Sequence, residues 1–473
     1  MSWNRKRWIY INNLEASIFV FSLKIFCHWI SEMIKKIKEL SQNEFARNVF
    51  TLMSATTVAQ AIAILIYIVL AQIYSTSEHG VFALYMSIIS ITAIISTGKY
   101  ESAVMMPATE EKAINLVALS SSLSLGFSVF LMVLIVFFHS GFAILLGDPN
   151  IEKWLWVVPL STLMIGIFQS QSYWANRNKR FGSMAVANVG QSLSNSAIKV
   201  SASKVFLNGG GLIAGAVIGQ FVGIILFLRD LVIKDKVILK KISFSGMKEM
   251  LVEYRFFPRF GMVHNLINNF SSNLPVFVIA SKFGTAEAGL YSFGFLMIFR
   301  PVNLVTSSFS QVFSQRIISR HNQGVAISKD VNRLTIKLFQ FSLLPFLIIG
   351  LGGPILFSIF FGDKWLEAGK YMQILLPWIF VVLLSSPLSF LPDMLKRQQT
   401  AMWLDALKFA IRIPALAIGV YYNNLYLAVI LFSAVSTLSV GYSLYWYLLL
   451  AHKADLVKES EPVKNIELPI SID

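Results

Sequence analysis

The 473-residue sequence has one cysteine, Cys27, which excludes a disulfide framework and any metal site built from several thiolates. Charge is scarce too: only 14% of residues are Asp, Glu, Lys or Arg, where a soluble domain carries about 25%. With 55% hydrophobic residues and a mean hydropathy of +0.64, the solvent for most of this surface is lipid. Acids are rarer than bases, 25 against 40, giving a formal charge of +15. In a soluble protein that excess points to nucleic acid. Here the bases cluster between apolar runs, so membrane topology and anionic membrane lipids account for them and no nucleic-acid partner is expected. The six histidines are scattered and no glycine-rich phosphate loop follows a strand pattern, so no metal, cofactor or catalytic constellation is expected.

What the chain does contain is a long-period repeat. The stretch Ala71 to Tyr85 (AQIYSTSEHGVFALY) returns 209 residues later as Ala280 to Phe293 (ASKFGTAEAGLYSF). Leu146–Gly147–Asp148 is echoed by Phe361–Gly362–Asp363, each followed by a span with an interior proline, Pro159 or Pro377. Lys179–Arg180 is echoed by Lys396–Arg397. Three ordered matches at nearly one offset predict two homologous halves.

A membrane span takes about 20 apolar residues. Twelve such runs are found, near 48–73, 79–98, 113–138, 152–173, 182–206, 211–231, 258–281, 287–311, 333–358, 371–391, 400–421 and 425–450. The expected fold is an all-α polytopic membrane protein, twelve transmembrane helices in two six-helix lobes around a central cavity. With six spans each, the halves insert the same way up, as parallel repeats. Lysine and arginine gather in the even-numbered connections, among them Arg177 to Arg180, Lys234 to Arg255, Arg316 to Lys329, and Lys396 with Arg397. The positive-inside rule therefore puts both termini in the cytoplasm. The expected organisation is a basic amphipathic extension (1–46), an N-terminal lobe (47–231), a cytoplasmic linker (232–257) with an interfacial helix over Met247–Tyr254, a C-terminal lobe (258–450) and a disordered cytoplasmic tail (451–473). For residues 1–32 two readings stay open: an interfacial helix, or a true start at Met33.

An ionisable group at membrane depth costs about 2.5–3.5 kcal/mol, which makes it a functional suspect. Arg300, followed by Pro301, lies near the middle of the eighth span, and its guanidinium suits phosphate or carboxylate. Asp405, Lys408 and Arg412 fall at i, i+3 and i+7 in the eleventh span and share a face. Two cations against one anion suit an anionic ligand, with Asp405 an alternative proton or sodium site; a self-neutralising structural cluster is the competing reading. Lys199 is a weaker candidate for the same cleft. Thr56 and Gln60 in the first span, and Asn265, Asn269 and Asn273 in the seventh, form polar stripes expected to line the cavity or to join helices. Glu101 has a structural explanation in nearby Lys99.

The segments Asn48 to Ser54, Ile73 to Tyr85, Gly98 to Pro107 and Ala113 to Leu116 resemble bacterial polysaccharide-biosynthesis flippases of the O-antigen translocase type, within the multidrug/oligosaccharidyl-lipid/polysaccharide exporter superfamily. The resemblance covers most of 33–450 and is most specific in the first three spans; residues 1–32 depart from the pattern. It implies a non-enzymatic transporter in the bacterial inner membrane. Such a protein flips an undecaprenyl-pyrophosphate-linked oligosaccharide to the outer leaflet for surface polysaccharide or lipopolysaccharide assembly, alongside polymerase and ligase machinery. On this reading Arg300, Lys408, Arg412 and Lys199 hold the head group, and Thr56, Gln60, Asn265, Asn269 and Asn273 solvate the glycan. The rivals are a drug/cation antiporter of the same superfamily and a membrane glycan polymerase or ligase.

Overall fold

The computed structural model describes residues 65–206 and 209–460; the expected extension over 1–46, the first span up to residue 64 and residues 461–473 lie outside them. Among the described residues there are helices and no strands. The end of the first span, α1 (65–73), is followed by α2 (Thr76–Thr97), α3 (Glu110–Leu146), α4 (Val158–Arg177), α5 (Phe181–Ser201) and α6 (Gly210–Lys234). The second half comprises α7 (Val263–Phe283), α8 (Thr285–Asn322), α9 (Ser328–Phe361), α10 (Leu366–Ser385), α11 (Gln398–Tyr421) and α12 (Leu425–Ser460). Seven of these are long and apolar enough to cross a membrane, and Pro149–Leu155 with α4, bent by 52°, makes an eighth. The protein is a multi-span membrane protein. Helices α5, α7 and α11 miss that test because they carry the amides and charges of the interior.

Local chemistry fixes the helix ends. The Ser75 hydroxyl accepts from the Glu78 amide, while the Ser75 amide donates to the Glu78 carboxylate at 2.8 Å, a reciprocal cap that starts α2. Gly147 ends α3 at φ 80°, in the left-handed region that glycine enters without penalty. The Lys179–Arg180 and Lys396–Arg397 echo is a shared turn: both lysines are left-handed, at φ 54° and 55°. The next amide then closes back, Arg180 to the Ala175 carbonyl at 2.8 Å and Arg397 to that of Pro392 at 2.7 Å. The proline echo is only partial. Pro377 is inside α10, but the break before α4 puts Pro159 in that helix's first turn, where its missing N–H costs nothing. At the other end α12 stays helical through Ser460, past the expected start of the tail at 451.

The two halves pack alike. In the first, α3 and α2 lie on α4, and α5 pairs with α6; in the second, α9 and α8 lie on α10, and α11 pairs with α12. The linker contains a helix, Phe244–Glu253, three residues earlier than expected at its start and docked on α3. Asn115 of α3 bonds the Lys241 carbonyl and the Ser243 amide, and Lys112 reaches Glu249 at 3.0 Å and Glu253 at 2.9 Å.

The lobes meet through α2 against α8 and α7, and the contact is made by the repeated motifs themselves. A Cβ on Gly80 would stand 1.8 Å from the Thr285 carbonyl oxygen; one on Gly289 would stand 1.9 Å from that of Thr76. These two glycines and two threonines are repeat equivalents, so the approach is reciprocal. Around it, Thr285 donates to Asp148 at 2.6 Å, Gln72 to the Phe361 carbonyl at 2.8 Å, and the Trp365 indole to the Ala71 carbonyl at 3.0 Å. Lys364 donates to the Tyr74 carbonyl at 3.0 Å. The result is a clasp holding the lobes together at the face opposite the basic connections.

Candidate functional site

Beside the clasp, between the lobes, is a cavity of about 210 Å³ lined by α1, α5 and α8. Helix α5 contributes Asn188, Gln191, Asn195 and Lys199, which recur every three or four residues and therefore form one stripe. It lies close to α6 because α6 presents glycine there: a Cβ on Gly215 would be 2.5 Å from Lys199 Cγ, and one on Gly219 2.7 Å from Asn195 Cβ.

Lys199 is 5% exposed. Its backbone carbonyl accepts from the Tyr74 hydroxyl at 2.6 Å, which ties this end of α5 to the clasp. Its ammonium lies 4.4 Å from the Phe82 ring centroid and 5.8 Å from that of Tyr67. From the opposite lobe, Arg300 places its guanidinium 4.7 Å from the Tyr67 centroid and donates to the Tyr67 hydroxyl at 3.2 Å. Neither cation has a carboxylate partner among the described residues. Asn195 keeps a buried Oδ1 without a hydrogen-bond partner. Ring faces soften the burial of a cation but leave its charge uncompensated. The cavity thus combines two cations that have no acidic partner among the described residues with the polar groups of α5.

The other expected site residues are elsewhere. Arg412 is buried in the C-terminal lobe, donating to Ser436 at 2.9 Å and Ser271 at 2.8 Å, with the Trp378 and Phe432 rings beside it. It ties α11 to α12 and α7 and does not line the cavity. Lys408 donates to Asp405 at 2.8 Å, and the second Asp405 oxygen bonds His264 of α7, also at 2.8 Å. The face shared by these three side chains is real, but it is a seam against α7. Lys408 is neutralised there, and both oxygens of Asp405 are engaged. Asn265 donates to the Gly261 carbonyl of the π-helical turn, Phe257–Met262, that leads into α7. Asn269 and Asn273 meet Ser90 of α2 at 2.9 and 3.3 Å, so they join the lobes instead of lining this cavity. Thr56 and Gln60 lie outside the described residues. Glu101 pairs with Lys99 at 3.6 Å, the structural tie expected for it.

Tyr67 and the amides of α5 line the cavity without being among the residues that the sequence singles out. The spacing of Asn188, Gln191, Asn195 and Lys199 was the available signal, as regular as the stripe recognised in α7.

Among solved structures, the chain is similar to a multidrug resistance MATE family transporter of the MOP superfamily in an inward-facing conformation, at 14% identity and TM-score 0.62 over 87% of this chain and 96% of that one. It is equally similar in fold to the lipid II flippase MurJ in an inward closed conformation, at 16% identity and TM-score 0.62 over 85% and 90%. A MOP superfamily transporter from Pyrococcus furiosus aligns at 13% identity and TM-score 0.59 over 88% and 98%. At such identities the likeness establishes the fold. No curated protein matches the sequence significantly. A family profile described as polysaccharide biosynthesis protein matches residues 69–370, the majority of the chain, clasp and Arg300 included. The chain belongs to the polysaccharide biosynthesis protein family.

Proposed function

We propose that the protein flips an undecaprenyl-pyrophosphate-linked oligosaccharide from the cytoplasmic to the outer leaflet of a bacterial inner membrane by alternating access. The observation that carries this reading is the pair Lys199 and Arg300, one from each lobe, facing a shared cavity with no carboxylate beside them among the described residues. Leaving a charge buried and unpaired costs several kcal/mol. A pyrophosphate supplies the missing charge, the α5 amides suit sugar hydroxyls, and the polyprenyl tail stays in the bilayer. By the positive-inside rule the basic connections and both termini face the cytoplasm, which makes the clasp the outer gate. Polymerase or ligase machinery would take the glycan on the far side.

A drug/cation antiporter of the same fold is the second reading, favoured by the likeness to the MATE transporter. The cavity's own two positive charges oppose an organic cation.

In cells lacking the native copy, Lys199→Gln and Arg300→Gln are expected to reach the membrane at normal abundance while lipid-linked glycan accumulates in the cytoplasmic leaflet. Normal glycan export by both variants overturns the proposal. Resistance to cationic drugs on overexpression favours the antiporter.

A further inference from the structure

Helix α9 presents Lys329, Arg333 and Lys337 at i, i+4 and i+8, all exposed and with no ion pair among the described residues. They rise about 12 Å along one face of the helix. The acid next to them in sequence, Asp330, is engaged by Arg320 at 2.9 Å and Arg316 at 3.4 Å. With Ile336 and Gln340 the three cations border an open recess of about 580 Å³ at the basic face. Farther along the same face the exposed side chains are Leu344, Leu347 and Leu351, the last 84% exposed. Leucines exposed to that degree on a membrane helix require hydrocarbon beside them, so the cations lie where the head groups of the same lipids begin.

We propose that this face of α9 is a binding site for an anionic phospholipid, its phosphate held by Lys329, Arg333 and Lys337 and its acyl chains lying along Leu344, Leu347 and Leu351. A free phosphate ester would use the cations but not the leucines, so the structure commits the site to a lipid. It is separate from the Lys199–Arg300 cavity, and its failure leaves the flippase reading untouched.

The test uses the full-length protein in nanodiscs of phosphatidylcholine with and without phosphatidylglycerol, reading by native mass spectrometry which lipids remain bound. Near a membrane surface each Lys or Arg adds roughly fivefold to anionic-lipid affinity. The triple variant Lys329→Gln, Arg333→Gln, Lys337→Gln is therefore expected to lose retention of phosphatidylglycerol by about a hundredfold. A charge-matched control, Lys236→Gln, Lys240→Gln, Lys248→Gln in the linker, is expected to keep it. Equal loss in both triple variants, no preference for phosphatidylglycerol in the unmodified protein, or full competition by soluble glycerol phosphate each overturns the site.

Discussion

Among single side chains, the cations at membrane depth divide by what surrounds them. Arg412 has the Ser436 and Ser271 hydroxyls and the Trp378 and Phe432 rings as partners and is not among the residues lining the cavity, whereas Lys199 and Arg300 border open space. Arg412→Met, which keeps bulk and removes charge, is therefore expected to retain glycan export. Arg412→Ala leaves a void and strands Ser271 and Ser436, and is expected to lower stability by about 2–5 kcal/mol, read as reduced abundance and faster thermal unfolding in detergent. Loss of export in Arg412→Met at normal abundance would return this arginine to the transport site. That buried cations exist was legible from the sequence. Which of them had room for a ligand was not, because spacing assigns a side chain to a helix face but not that face to a neighbour.

Among elements, the linker helix Phe244–Glu253 is pinned to α3 by Asn115, Lys112 and the close fit of Gly246, whose added Cβ would stand 2.7 Å from the Asn115 side chain. Gly246→Ala is expected to loosen it, seen as faster hydrogen exchange across 244–253 with little change elsewhere. The hydrogen bond from Lys112 holds the Glu253 carboxyl below its ordinary range. A lowered carboxylate value means that the tie is complete near neutral pH and is lost as the pH falls through that value. Exchange in 244–253 should accordingly rise on acidification below the ordinary glutamate range, and Glu253→Gln should show the raised exchange already at neutral pH. A helix here was legible, as an interfacial stretch of the linker over Met247–Tyr254. Its docking on α3 depended on a pairing across more than a hundred residues that no local signal encodes.

For the whole molecule, the clasp is what the proposed alternating access would have to open. Ser77 Oγ and Thr285 Oγ1 are 3.1 Å apart across the lobes, so Ser77→Cys with Thr285→Cys, in a Cys27→Ser background, is expected to crosslink on oxidation. Export should stop and return on reduction; continued export by the fully crosslinked protein would show that α2 and α8 need not part. Gly80→Ala puts a methyl 1.8 Å from the Thr285 carbonyl oxygen. Overpacking of this kind costs about 1–3 kcal/mol, a shift of roughly 5- to 150-fold toward the open clasp. Distances between spin labels on α2 and α8 would report it, and an unchanged distribution would mean that the glycine contact is not what keeps the clasp shut.

From composition and periodicity alone followed a chain that lives in lipid, crosses it as helices and is written as two copies, because lipid demands internally satisfied backbone and a duplicated sequence carries its period openly. The echo of Thr76 and Gly80 in Thr285 and Gly289 marked the motif that mattered without revealing its use. Only the folded bundle brought the two copies face to face, with each glycine admitting the other's carbonyl. The assignment of Lys199 to a cavity and Arg412 to a seam likewise came from packing, since open space is a property of several helices together and of no single stretch of sequence.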